Sequence, residues 1–162
     1  MNQRDGGFTL IELIMVMVVL SVLAVSTIGL FAGQGEFAGR LQRDQLLAHL
    51  RLAQQVALAR HDVSAPATTW TLSRSGGTLQ AQIVQGAYNT VRSLEEAGTT
   101  VTWSSATTTS CGAATGTLPL TLTFDQLGDL ASETLICVSG NGQTWPVCVS
   151  AAGYAYAGVC TP

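Results

Sequence analysis

The chain has 162 residues, 47% of them hydrophobic, with seven Lys+Arg against ten Asp+Glu and a formal net charge of −3. All the basic residues are arginine, and the mildly acidic balance gives no general attraction to nucleic acid or to an anionic membrane surface. This length allows one modest domain plus whatever a long apolar segment adds.

The chain opens MNQRDGGFTLIELIMVMVVLSVLAVSTIGLFAG. From Leu13 to Ala32 there is no Asp, Glu, Arg, Lys or His, enough to cross about 30 Å of hydrocarbon as a helix. The flanks do not suit an ordinary secretory signal, which needs a basic start, a shorter apolar core and a small-residue cleavage site after that core. Here Arg4 is offset by Asp5, and Gly6-Gly7 precedes the apolar run. A cut after Gly7 leaves the apolar segment on the mature protein. Glu12 stands near the start of the run, and a charge at the centre of a bilayer costs roughly 2.5–3.5 kcal/mol on insertion scales. It therefore needs a partner or a place near the interface.

Gly33, Gly35 and Gly39 weaken the next stretch as helix by up to about 1 kcal/mol each relative to Ala, but no strong breaker intervenes. The pattern resumes as EFAGRLQRDQLLAHLRLAQQVALARHD. Phe37, Leu41, Leu47, Leu50, Ala53 and Ala57 share one side of a 3.6-residue period, with Arg40, Arg43, Asp44 and Arg51 largely elsewhere. The spacing predicts one long helix from Phe8 to about Arg60, roughly 80 Å at 1.5 Å per residue. Its first half is apolar all round and its second half amphipathic.

Ser64-Ala65-Pro66 ends the helix, and short alternating runs follow. Trp70 and Leu72, then Leu79, Ala81 and Ile83, then Leu120, Leu122 and Phe124 recur with the period of two that half-buried strands show. Thr134–Ser139 and Thr144–Ser150 flank Gly140-Asn141-Gly142, a hairpin signal. Pro119 and Pro146 suggest edge positions or strand starts, and Ala155–Val159 forms the last strand. Past Trp103, a stretch rich in Thr, Ser, Ala and Gly predicts a long surface loop. The expected fold class is α+β, with a long N-terminal helix, transmembrane then amphipathic, packed on an antiparallel β-sheet head.

Gly7-Phe8-Thr9-Leu10-Ile11-Glu12, followed by the uncharged helix, resembles the start of type IV prepilins and type II secretion pseudopilins. That resemblance implies a pilin-like fold, cleavage by a prepilin peptidase between Gly7 and Phe8, and methylation of the new amino group of Phe8. Glu12 becomes the fifth residue of the mature chain, where the family carries a glutamate thought to pair with the N-terminal amine of a neighbouring subunit. A buried carboxylate is costly alone but not when paired with an incoming amine, and near the helix start Glu12 also meets the positive end of the helix dipole. Asp5 dilutes the leader's positive charge, and Gly29 stands about where many pilins have a kink-forming proline. The helix Arg43–Arg60, the strand ending Leu122-Thr123-Phe124 with Gly128, and Gly153-Tyr154 look like H-type pseudopilins and FimT-like minor pilins. They look most similar to a minor pilin of mannose-sensitive haemagglutinin (MSHA) pili. The implied organisation is a leader at 1–7, a transmembrane and filament-core helix at 8–32, an amphipathic helix at 33–62 and a disulfide-stapled β head at 63–162.

Cys111, Cys137, Cys148 and Cys160 form no CxxC pair, so zinc and thioredoxin-like sites are poorly supported. Downstream of a membrane segment the even count reads as two disulfides in an oxidising compartment. If the hairpin turns at Gly142-Gln143, Cys137 falls opposite Cys148, a bridge worth about 3 kcal/mol, and Cys111 pairs with Cys160 for roughly 4 kcal/mol. Three pairings are possible, and a shifted register favours another. His49 and His61 lie too far apart along the helix to share a metal site. Asp125, Asp129 and Glu133 lack the dense oxygen spacing of a calcium loop and read as a solvated turn. No Ser-His-Asp order or phosphate-cradling loop stands out, so neither an enzyme nor a cofactor is expected.

The leading function is structural: a minor pilin or pseudopilin that assembles into, primes or caps a type IV filament. Phe37, Leu41, Leu47 and Leu50 are expected to dock the head. The expected partners are the prepilin peptidase, other pilin subunits and, before assembly, the inner membrane with the head in the periplasm. A DNA-uptake role, as in some FimT-like minor pilins, needs clustered cations. No basic residue follows Arg92, so DNA binding is not expected unless Arg60, Arg74 and Arg92 converge. A major pilin forming the fibre shaft is the remaining alternative.

Overall fold

The computed structural model describes residues 9–31, 34–59, 66–94, 98–105 and 110–161, with backbone alone over 25–31 and 34–36. The chain divides into two compact units, Met1–Gln34 and Gly35–Pro162. The fold is α+β. In the first unit α1 spans Leu10–Phe31, about 33 Å of helix at 1.5 Å per residue. The next helix, α2, spans Gln34–Ala59. Residues 32 and 33, on which the expected continuity of the two depends, lie outside the described residues.

The strands are β1 (Thr68–Ser75), β2 (Thr78–Gln85), β3 (Tyr88–Leu94), β4 (Thr100–Ser105), β5 (Leu120–Phe124), β6 (Thr134–Gly140), β7 (Gln143–Val149) and β8 (Ala155–Ala157). They form two four-stranded antiparallel sheets rather than one, ordered β3-β2-β1-β5 and β4-β6-β7-β8. A short 3-10 turn at Cys111–Ala113 lies in the expected loop, while β4 runs on past Trp103 to Ser105. Tyr88–Leu94 and Thr100–Ser105 were not expected as strands. Each is the edge of its sheet, and Asn89, Thr90, Arg92 and Ser93 mask any alternation in β3.

One core joins α2 to both sheets. Leu46, Leu50, Ala53 and Ala57 of α2 pack with Trp70, Leu72, Leu79 and Ile83 of the first sheet and Ile136, Val138, Val147 and Val149 of the second. The buried stripe of α2 runs Gly39, Gln42, Leu46, Leu47, His49, Leu50, Ala53, Ala57, so Leu47 and Leu50 dock as expected. Phe37, 69% exposed, and Leu41, 38% exposed, stand outside it, so these two do not dock the head. The stripe advances through a glycine and two polar residues, which hydrophobic periodicity cannot see. Gln42 is held by the Thr99 hydroxyl, which donates to its Oε1. At Gly39 the Trp145 ring of β7 lies against the helix backbone, where any Cβ would overlap it.

The second sheet is buried on both faces. Ile136, Val138, Trp145 and Val147 turn to the main core, whereas Leu135, Cys137, Cys148 and Cys160 make a second cluster on the other side. The β6–β7 hairpin turns on Asn141-Gly142, both left-handed at φ 51° and 74°, with Gly140 opposite Gln143. That is the backbone a two-residue turn needs to match the strand twist. Cys137 therefore faces Pro146 and Cys148 faces Leu135, so the two cysteines are diagonal neighbours about 7–8 Å apart, too far to bridge. The bridges are Cys111–Cys137 and Cys148–Cys160, which corrects the expected pairing. All four cysteines are bonded.

Pro119 precedes β5, as a strand start should. Pro146 sits inside β7, but at its open end: β8 pairs only from Val147 onward. The Pro146 carbonyl accepts from Gly158 N–H at 3.0 Å, so its missing N–H falls on that same side, past the last ladder pair.

Candidate functional site

Gly7 and Phe8, the expected cleavage and methylation residues, lie outside the described residues. The description begins at Thr9, which caps α1. Glu12 N–H donates to the Thr9 carbonyl at 3.1 Å and lies 3.4 Å from the Thr9 hydroxyl; Leu13 N–H also reaches the Thr9 carbonyl, at 3.2 Å. A hydroxyl accepting from the third helical residue satisfies a donor that the helix start otherwise leaves open. Thr9-x-x-Glu12 ahead of an apolar run is the capping-box spacing, a signal that reading Glu12 for its charge alone had passed over. The cap places Glu12 in the first turn, exposed, beside the positive end of the helix dipole.

Beyond Glu12 the helix presents apolar side chains in every direction. From Leu10 to Leu23 the large hydrophobic residues are 47–77% exposed. A helix apolar all round belongs in an apolar medium or inside a larger packing. Ser21, its one described hydroxyl, donates to Val18 O at 2.8 Å and so satisfies itself within the helix. Among the described residues no helix is long and apolar enough to cross a membrane. Side chains are described only for the first fifteen residues of α1, Leu10 to Ala24, and a span needs about 20.

In the head, His49 is 4% exposed and accepts from the indole Nε1–H of Trp70 at 2.9 Å. An indole nitrogen can only donate, so His49 Nδ1 carries no proton and the neutral ring bears it on Nε2. Burial, then the charge of Arg92, hold its pKa below the usual histidine value. With Nδ1 engaged and Nε2 protonated, neither nitrogen offers a lone pair to a metal. His61 lies outside the described residues. Asp125 Oδ1 accepts from Leu127 N–H and Asp129 N–H, both at 2.8 Å, so it closes its own turn. Among the described residues no cluster of His, Cys, Asp and Glu is arranged to hold a metal ion. Arg74 and Arg92 are two strands and two ladder rows apart, and Arg60 is outside the described residues, so no convergence of the three arginines is on view.

The C-terminal part of the head is tied to α2 by polar contacts. Arg51 Nε donates to Ala155 O at 3.1 Å and Gln54 Nε2 to Ala152 O at 3.0 Å. The Arg51 guanidinium also lies 5.6 Å over the ring of Tyr154, which stacks on Tyr156.

No curated protein and no solved structure matches the chain. Residues 2–28 match the prokaryotic N-terminal methylation motif. That motif covers the Gly-Phe junction, the Thr9 cap, Glu12 and most of α1, and with it the chain bears the leader of the type IV prepilin and pseudopilin family.

Proposed function

We propose that the chain is a minor pilin or pseudopilin: a structural subunit, cut by a prepilin peptidase between Gly7 and Phe8, methylated on Phe8, and assembled through α1 into a type IV filament. The observation that carries this reading is the capped start of α1, with Glu12 in the first turn of a helix that is otherwise apolar all round. Such a surface needs lipid before assembly and other α1 helices after it. In the precursor, Leu13–Ala32 crosses the inner membrane and the head, from about residue 63, stands in the periplasm. In the filament Glu12 pairs with the methylated amine of the next subunit, and this pairing selects the axial register, because a carboxylate without its amine is left buried and uncompensated.

Intact-mass spectrometry of the protein extracted from membranes with an active prepilin peptidase tests the reading. The expected mass is that of a Phe8 start plus one methyl group. Glu12→Gln is expected to be cut, yet to be missing from sheared filaments. An unprocessed Met1 start in the presence of active peptidase overturns the proposal, and so does normal filament incorporation of Glu12→Gln.

A further inference from the structure

Between α2 and β3 the head holds a cavity of about 430 Å³, whose walls include Gln45, His49, Leu52, Gln55, Arg92 and Leu94. Arg92 is on the helix side of the sheet. It pairs with Ala81, which pairs with Leu72, and both of those side chains are fully buried in the core; residues in one row across a sheet point to the same face. Among the described residues no carboxylate forms an ion pair with this guanidinium. His49, in the same wall, keeps its Nε2–H buried without a partner, because Trp70 occupies the other nitrogen. The cavity thus combines one fixed positive charge, two side-chain amides and an apolar surface from Leu52 and Leu94.

We propose that this cavity binds a small organic carboxylate. Its carboxylate meets the Arg92 guanidinium, whose planar fork matches two oxygens, and its apolar body lies against Leu52 and Leu94. Charge decides the class. His49 is neutral and, among the described residues of the wall, Arg92 is the one cation, so a monoanion is balanced, whereas a phosphate dianion is not. A pocket that is mostly apolar with a few convergent polar groups is the usual form of a small-molecule site.

The test uses the full chain in neutral-detergent micelles, with benzoate as probe and benzamide, its uncharged isostere, as comparison. NMR signals of the His49 imidazole and the Arg92 guanidinium are followed during titration. Benzoate is expected to shift both with saturation, and benzamide is expected not to at the same concentrations. Arg92→Gln is expected to weaken benzoate binding at least tenfold with an unchanged thermal melt. Arg92→Lys, which keeps the charge but loses the fork, is expected to fall between the two. Arg74→Gln, on another part of the sheet, leaves binding as it is. The proposal is overturned by shifts that never saturate, by equal responses to benzoate and benzamide, or by undiminished benzoate binding to Arg92→Gln. Inorganic phosphate saturating the same signals overturns the carboxylate assignment.

Discussion

Replacing Gly39 by alanine sets two magnitudes against each other. In an unpacked helix the change stabilises by about 1 kcal/mol, since glycine is the poorer helix former. Here the three atoms nearest to an added Cβ are all carbons of the six-membered ring of Trp145, within overlap distance. Relieving the overlap requires the ring to move by roughly 1.5–2 Å, given an ordinary carbon–carbon contact of about 3.5–4.0 Å. The ring has little room to do so. Trp145 is 7% exposed and pairs with Val138 in mid-ladder, and Val138 and Val147 are fully buried beside it. Overpacking of a filled core costs about 1–3 kcal/mol, and a rigid indole held by two strands belongs at the upper end. The expected net effect is a loss of about 2 kcal/mol, or a fall in Tm on the order of 6–10 °C for a head of this size. Chemical denaturation followed by tryptophan fluorescence and a thermal melt measure it. The same substitution in a Trp145→Leu background is expected to be neutral or stabilising, since the clashing ring is gone. A neutral or stabilising Gly39→Ala in the wild-type background refutes the packing argument.

The disulfides and His49 give further expectations. Proteolysis without reduction is expected to release Cys111 linked to Cys137 and Cys148 linked to Cys160; a Cys137–Cys148 peptide contradicts the hairpin register. With loop separations of 26 and 12 residues, replacing each pair by alanines is expected to cost about 3.5 and about 2.8 kcal/mol respectively in the chain-entropy model, read as a shift in denaturant midpoint. Burial and Arg92 hold the folded pKa of His49 below its unfolded value of 6.5. As pH falls through that value the unfolded chain takes up a proton that the native state refuses, so stability drops, and the drop ends below the folded pKa. His49→Leu is expected to lose that part of the pH dependence, and to lose about 1–3 kcal/mol at all pH by leaving the Trp70 N–H unpaired. Identical slopes for the two proteins between about pH 7 and 5 contradict the assignment.

Hydrophobic periodicity located the helical span, expected as one helix, and most strands because Leu, Ile and Val recur at the spacing that burial demands. It placed the docking stripe of α2 incorrectly at Phe37 and Leu41, since the true stripe passes through Gly39, Gln42 and His49. Those positions are decided by a ring stacked on a glycine and by two hydrogen bonds, neither of which leaves an apolar mark. The second sheet carried an unread signal. Leu135-Ile136-Cys137-Val138 does not alternate, which is how a strand covered on both faces reads. The disulfide pairing turned on a shift of the hairpin by a single turn position. Asn141-Gly142 rather than Gly142-Gln143 at the centre moves Cys148 from opposite Cys137 to opposite Leu135. At the N-terminus Glu12 was legible from its charge, whereas its link to Thr9 needed the helix start to be read as a cap. Arg92 was weighed only as a phosphate contact; its place beside His49 stayed hidden because its strand is an edge whose polar residues conceal the period.

The two bridges also set how the head responds to a mechanical load along the chain. A filament subunit pulled from its ends extends as its strands peel apart, but the segments inside a closed disulfide loop cannot lengthen. With 26 and 12 residues enclosed, the oxidised head withholds roughly 130 Å of contour length at about 3.4 Å per residue. The withheld chain includes β5, the first four residues of β6, the last two of β7 and all of β8, while β1 to β4 and residues 138–147 lie outside both loops. Under tension the first sheet can shed β1, β2 and β3 as free length, and the 138–147 span of the second hairpin can follow, whereas 111–137 and 148–160 stay closed by their sulfurs. The head is thus extensible on its N-terminal side and tethered on its C-terminal side.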